Sequence, residues 1–291
     1  MGDPKLHHYV PQFYLRRFAD SVDKIWVWDK RRDRIFRTKA KSMAAESNFY
    51  LLPELAELGQ DAILMERQFS ELEGEVSIIT GQWLEWIRNG LPGDRLPMPE
   101  VNRELVSLFV ALQFLRTSDT RAILAAVSAE AGNVLAAERE LRSLHAQLLW
   151  DEDLVSRFAR RIGHCSWLFA LNETEKPFVT SDNPVAFRAA DNRMWLKAAL
   201  FSEGTYVVYP LSPDVIMYCY PDEGLWRDAR VRRFDCQISP VTLTAGMVGS
   251  DNSAQVFMAS RFVISCQKSF SSERAFWESV GTDMYAPPST E

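Results

Sequence analysis

The 291-residue sequence has no window of roughly 18 uninterrupted apolar residues, and its polar, histidine-containing start lacks the apolar core of a signal peptide. The expectation is a cytoplasmic protein with no membrane partner. Cysteine is scarce: Cys165, Cys219, Cys236 and Cys266 are widely spaced, and none belongs to a C-x-x-C pair. Neither a zinc knuckle nor a redox motif is suggested, and buried free thiols in a reducing compartment are expected. An excess of positive charge is also missing. The formal net charge of -6 argues against nonspecific adhesion to nucleic acid. There is no G-x-x-x-x-G-K-S/T, no strand-linked G-x-G-x-x-G, no H-E-x-x-H and no G-x-S-x-G, which disfavours P-loop ATPases, dinucleotide dehydrogenases, common zinc proteases and serine hydrolases.

What is present is concentrated at the start. His7-His8-Tyr9-Val10-Pro11-Gln12-Phe13-Tyr14-Leu15-Arg16-Arg17-Phe18 puts two of the four histidines side by side with amide, phenol and guanidinium groups. Imidazole is the side chain whose unperturbed pKa lies near neutrality, so it can donate, accept or ligate. Charge is biased the same way: residues 1–42 hold eleven Lys or Arg against five Asp, a local +6 that leaves -12 for the remainder. A basic segment can meet phosphates. The preferred reading is a solvated hairpin whose charges protect an edge strand.

Apolar content of 47% and charged content of 25% suit a globular chain. The patterning predicts an α+β fold, with antiparallel strands at the N-terminus and in the C-terminal half packed with a central layer of three long helices. A single domain over 1–285 is expected, with the helical layer at about 54–161 and a frayed tail at 286–291. Residues 24–30 and 34–38 read as a hairpin, with Trp26 and Trp28 on one face to pack against the helical layer. Apolar residues from Ile63 to Ile87 recur at three- and four-residue intervals and end at the breaker run Gly90-Leu91-Pro92-Gly93. A second helix starts near Pro99 and can run on through the alanine-rich stretch, and a third covers roughly 135–161. Strands are expected at 166–171, 178–180, 205–209, 215–220 and 242–244, then a helix capped by Asp251-Asn252-Ser253 that runs through Ile264.

The opening resembles a bacterial family of unknown function whose members begin with the same H-H-Y-V-P-Q-F-Y-L run. Matching pieces follow in order: Glu46-Ser47-Asn48-Phe49-Tyr50, Gln113 with Arg116-Thr117, Thr180-Ser181-Asp182-Asn183-Pro184-Val185, and Pro210-Leu211-Ser212-Pro213. The resemblance implies a shared architecture and site but no reaction.

The residues themselves suggest a convergence. His7 and His8 point to opposite sides of an extended segment, so one of them would act directly as acid, base or metal ligand. Gln113 and Arg116 sit at i and i+3, and Arg116 interrupts an apolar stretch, where a guanidinium needs a carboxylate or an anionic ligand. Glu66 and Glu73 fall near one helix face and read first as a solvated face, second as partners for an imidazole. Ser181, Asp182 and Asn183 end an apolar strand in a loop that is either functional or a plain turn.

The leading expectation is a hydrolase acting on a phosphodiester, RNA or DNA among the candidates. In it His7 or His8 is the acid/base, Arg116 holds phosphate charge, and Asp182 orients an imidazole or holds a divalent metal. Gln12, Tyr14, Gln113, Ser181 and Asn183 are the candidate substrate-binding groups, and a nucleic acid or nucleotide is the candidate partner. The alternatives are a noncatalytic module binding a nucleotide, peptide or partner, and a structural clasp made by the His-His segment.

Overall fold

The computed structural model describes residues 6–47, 64–130, 138–197, 202–227 and 229–280, and the tail expected at 286–291 lies outside them, as do Asn48, Phe49 and Tyr50. The opening is extended where Pro11 requires it to be. Strand β1 (Leu6–His8) pairs with β4 (Ala45–Ser47), His7 opposite Glu46, and Pro11 then caps a short helix α1 (Gln12–Arg16). The hairpin forms as read: β2 (Ile25–Asp29) pairs with β3 (Arg34–Thr38), and a four-stranded sheet runs β3-β2-β12-β6, with β6 at Thr180–Ser181 and β12 at Phe262–Ser265. β3 is the outer strand, and its exposed Arg34 and Arg37 suit an edge. Trp28 packs with Val179, Val256, Ala259 and Phe270, and Trp26 leans on the same cluster. The tryptophans therefore meet the C-terminal helices rather than the central helical layer.

Helix α2 (Leu64–Asn89) buries Met65, Phe69, Val76, Ile79, Trp83, Leu84 and Ile87, the stripe that three- and four-residue spacing produces. Two of the expected long helices are each divided. The second ends at α3 (Glu100–Leu115) because Arg116 leaves helical geometry at φ -89° and ψ 6°, and α4 (Ser118–Glu130) restarts after Thr117. The third is split by Asp151, which ends α5 (Glu138–Trp150) and caps α6 (Glu152–Gly163) by accepting from the Leu154 N–H at 2.9 Å. Trp83 meets Trp167 and Phe169 edge-on at 5.9 and 5.7 Å, which fastens α2 to the large sheet.

That sheet has the order β11-β5-β10-β9-β7-β8, formed by β5 (Ser166–Leu171), β7 (Ala186–Arg188), β8 (Trp195–Leu196), β9 (Tyr206–Ser212), β10 (Val215–Tyr220) and β11 (Gln237–Ile238). Its pairings are antiparallel except the edge pair β11–β5. β9 and β10 are buried on both faces, and their period-2 alternation divides them between two cores. Val207, Tyr209, Leu211, Met217 and Cys219 face the core shared with α2 and α3, while Tyr206, Val208, Ile216 and Tyr218 face Val248, Ala254 and Met258.

The last three residues belong to α8 (Ala245–Met258), which follows the short helix α7 (Ala229–Arg232). Two expectations fail in this region. Residues 242–244 form no strand, because Thr244 caps α8 by accepting from the Met247 N–H at 3.3 Å. The helix thus begins six residues before Asp251 and ends at Met258, and the apolar run up to Ile264 contains strand β12. The final helix, α9 (Ser271–Val280), covers the tryptophan cluster.

Candidate functional site

The two histidines part company, as the strand geometry requires. His7 is fully buried on β1, whereas His8 is half-buried and lines an open cleft of ≈ 290 Å³ with Gln12, Phe13, Glu66, Ser70, Glu73, Gly74 and Ser77. α1 carries Gln12 over His8, and α2 supplies the opposite wall. His8 Nε2 lies 3.1 Å from the Lys41 carbonyl, which can only accept, so Nε2 holds the proton and Nδ1 keeps its lone pair. The Gln12 amide reaches toward Nδ1 at 3.5 Å, and its Oε1 accepts from Arg16 at 3.1 Å. One chain of contacts thus sets the tautomer and the amide orientation.

The electrostatics of the cleft move two groups toward each other. Burial lowers the His8 pKa, against the Lys41 carbonyl and the charge of Glu73, so the ring is neutral at pH 7. Burial, reinforced by Glu73, pushes the Glu66 carboxyl up to about 7, with Arg116 opposing. A neutral imidazole and a carboxyl that still holds its proton for much of the time therefore face the same cleft.

Arg116 lies behind the cleft wall, bonded to Glu73, and is sealed from solvent. It is 1% exposed, donates to Glu73 Oε1 at 2.7 Å and to Gln113 Oε1 at 2.7 and 3.1 Å, and lies over the rings of Phe69 and Phe109. Its anion is thus Glu73, and its fork is occupied. Gln113 passes the contact on, donating from Nε2 to the Tyr9 carbonyl at 3.0 Å. Tyr14 is likewise internal: its hydroxyl donates to the Pro210 carbonyl at 2.8 Å and accepts from Thr180 Oγ1 at 2.7 Å, and its ring stacks on Tyr209.

The Asp182 loop lies elsewhere. Asp182 is fully buried and accepts from the backbone N–H groups of Ser260, Arg261 and Phe262 at 2.9, 2.9 and 3.0 Å and from Ser260 Oγ at 3.1 Å. Ser181 Oγ donates to Gln255 Oε1 at 3.0 Å, and Asn183 Nδ2 donates to Asp119 Oδ2 at 3.3 Å. These bonds tie the loop to α8, to the turn before β12, and to α4. Asp182 borders a second cleft, of ≈ 570 Å³, together with Tyr9, Glu46, Asp119, Arg121 and Arg261. The Asp182 loop does not line the His8 cleft: the opening segment sends His8 into one cleft and Tyr9 into the other.

Residues 6–269 match a family model described as a protein of unknown function, DUF4238. The chain belongs to that family. No curated protein and no solved structure matches it. The DUF4238 match covers both clefts, the His-His strand and the Asp182 loop, so the site is a property of the matched region.

Two carboxylates that the sequence favoured as solvated, Glu66 and Glu73, are the acidic wall of the His8 cleft in this DUF4238 chain. Seven residues of helix separate their backbones by about 10 Å along the axis, and the charge of Glu73 acts on both Glu66 and His8. Among the described residues no group of three or more His, Cys, Asp or Glu is arranged to hold a metal ion. The four cysteines are free, and burial pushes Cys165 up to about 12 and Cys236 up to about 11, which leaves both as unreactive thiols at pH 7. A further cavity of ≈ 600 Å³ between α3 and α6 contains none of the candidate residues, and its Arg103 is occupied by the Gly163 carbonyl and Asp235. No described helix is long and apolar enough to cross a membrane.

Proposed function

We propose that this protein is a phosphodiester hydrolase working in the His8 cleft, with His8 as general base and Glu66 as general acid. The observation that carries the proposal is the pair of opposed pKa shifts within one open cleft: the imidazole is held neutral and the carboxyl is pushed up to about 7. Groups whose environments drive them in this way can accept and donate a proton at the same pH. In the proposed step a water takes the place of the Gln12 amide at Nδ1 and gives up its proton there. Its oxygen attacks phosphorus, and the departing oxygen takes the proton of Glu66. The products are a phosphomonoester and an alcohol.

The charge around the cleft supports an anionic substrate. Glu73 is offset by Arg116, and Glu66 carries a fractional charge at pH 7. Arg16 stands exposed at the rim beside Gln12, and Arg17 donates to Thr80 and Ser77 under the wall. Arg16 therefore takes the phosphate-facing role that the sequence suggested for Arg116. Purified protein is expected to cleave RNA or bis-p-nitrophenyl phosphate, and His8→Ala is expected to lower kcat/KM by about 100-fold or more with the melting temperature unchanged. Equal rates in the two proteins would reject the assignment.

A noncatalytic clasp is the second reading, and one observation favours it. Tyr14, Gln113 and Arg116 are all internally bonded, so most of the conspicuous polar residues hold the opening segment to the body. Under that reading His8→Ala lowers the melting temperature and no turnover is found in either protein.

A further inference from the structure

The second cleft is built differently from the first. Seven separate segments meet there: Tyr9 after β1, Arg31 in the hairpin turn, Glu46 on β4, the first turns of α4, Leu141 on α5, Asp182, and the 260–262 turn. Its carboxylates are all engaged. Glu46 accepts from Arg121 at 3.4 Å and Arg142 at 3.1 Å, Lys197 lies 3.1 Å from Asp119, and Asp182 holds three backbone N–H groups. Arg261 is paired with Asp29 at 2.7 Å, and the charge of Lys30 acts on Asp182. Arg31, at the cleft and exposed, pairs with no carboxylate among the described residues. The cleft is thus lined by three cations, Arg31, Arg121 and Arg261, and three carboxylates, and Arg31 is the cation among them that is open to solvent.

The remaining lining is of two kinds. The hydroxyls of Tyr9, Ser118 and Ser260 form a chain that ends on Asp182, with Ser118 Oγ 3.2 Å from Ser260 Oγ and Ser260 Oγ donating to Asp182 at 3.1 Å, while Ala122, Ala125, Leu141 and Phe262 form an apolar wall. A cavity of ≈ 570 Å³ falls in the ordinary range for small-molecule sites, which combine apolar walls with a few fixed polar groups. We infer that this cleft is a binding site for a mononucleotide, its phosphate at Arg31 and its base against the Ala122–Ala125 face of α4. Neither His8 nor Glu66 takes part, so the inference stands apart from the hydrolase assignment.

Isothermal calorimetry with AMP tests it, with inorganic phosphate as the second probe. Binding of AMP is expected in the wild type and equally in His8→Ala, with at least about tenfold weaker affinity in Arg31→Glu and in Ala125→Phe. Arg31 is exposed, so Arg31→Glu keeps the fold intact even where Ala125→Phe fails to fold. Absence of AMP binding, an unchanged affinity in Arg31→Glu, or inorganic phosphate binding as tightly as AMP would each overturn the inference. Binding lost in His8→Ala would place AMP in the first cleft and overturn it as well.

Discussion

At the residue scale, the fold sets the protonation of individual groups through burial. Glu66 is the clearest case, because its carboxyl titrates at about 7 in the folded chain against an ordinary value of 4.5. A raised acid binds its proton more tightly in the native state, so the contribution of Glu66 to stability is most favourable below about pH 4.5 and is lost as pH climbs through about 7. Glu66→Gln removes that loss. Its melting temperature should match the wild type at pH 4 and exceed it at pH 8, by the equivalent of about 1 kcal/mol once solvent screening of a partly exposed group is allowed for. Equal melting temperatures at pH 8 would show that Glu66 is not held in its neutral form.

His145 runs the other way. Its Nε2 donates to the Leu115 carbonyl at 2.8 Å, its Nδ1 accepts from Arg121 at 3.1 Å, and burial lowers its pKa to about 4. The unfolded chain takes up this proton near pH 6.5, so the contribution of neutral His145 is present above pH 6.5 and is lost on acidification toward pH 4. An NMR titration should give an imidazole midpoint near 4. A midpoint near 6.5 would mean that the ring is solvated and that the link from α5 to the end of α3 is not made.

At the element scale, polar side chains act as the fasteners between segments distant in sequence. Lys30 donates to the Val256 and Ala259 carbonyls at 2.7 Å each, which closes the C-terminus of α8 with a cation that suits the helix dipole. Asp182 performs the complementary task on the turn that follows. Replacing Asp182 by Ala leaves the buried N–H groups of Ser260, Arg261 and Phe262 without their acceptor, an expected cost of about 2–4 kcal/mol, read as a lower urea midpoint. A midpoint unchanged from wild type would show that the Asp182 bonds do not support the turn.

The same elements show what the sequence made legible. Period-2 and period-3.6 patterns placed the hairpin, α2, β5 and β10 correctly, because each has one dominant apolar face or a fully apolar run. The misplaced elements were decided by single residues. Asp151 and Thr244 accept backbone N–H groups at helix starts, and such residues are equally at home in turns or in strands. The candidate site divides similarly. The His-His pair and the Gln113–Arg116 spacing were visible, whereas the raised pKa of Glu66 depends on its burial, which only the tertiary packing creates. Asp182 looked functional because carboxylates in loops often are, yet its lone pairs are taken by the backbone of residues 260–262.

At the scale of the whole molecule, one short segment serves two clefts. The alternation of β1 buries His7 and turns His8 toward α2, and the next residue, Tyr9, lines the cleft beside α4. Anchoring falls to Gln113, Arg116 and Tyr14, which leaves His8, Gln12 and Arg16 as the polar groups of the opening that face solvent. The DUF4238 match extends over this whole arrangement. The most direct test of the central claim is the pH dependence of kcat/KM for phosphodiester cleavage in the wild type and in Glu66→Gln. The account predicts a wild-type rate that falls above about pH 7 as Glu66 loses its proton, and a strongly reduced rate without that limb in Glu66→Gln. A wild-type rate that keeps rising through pH 8, or a Glu66→Gln profile superimposable on it, would contradict the account.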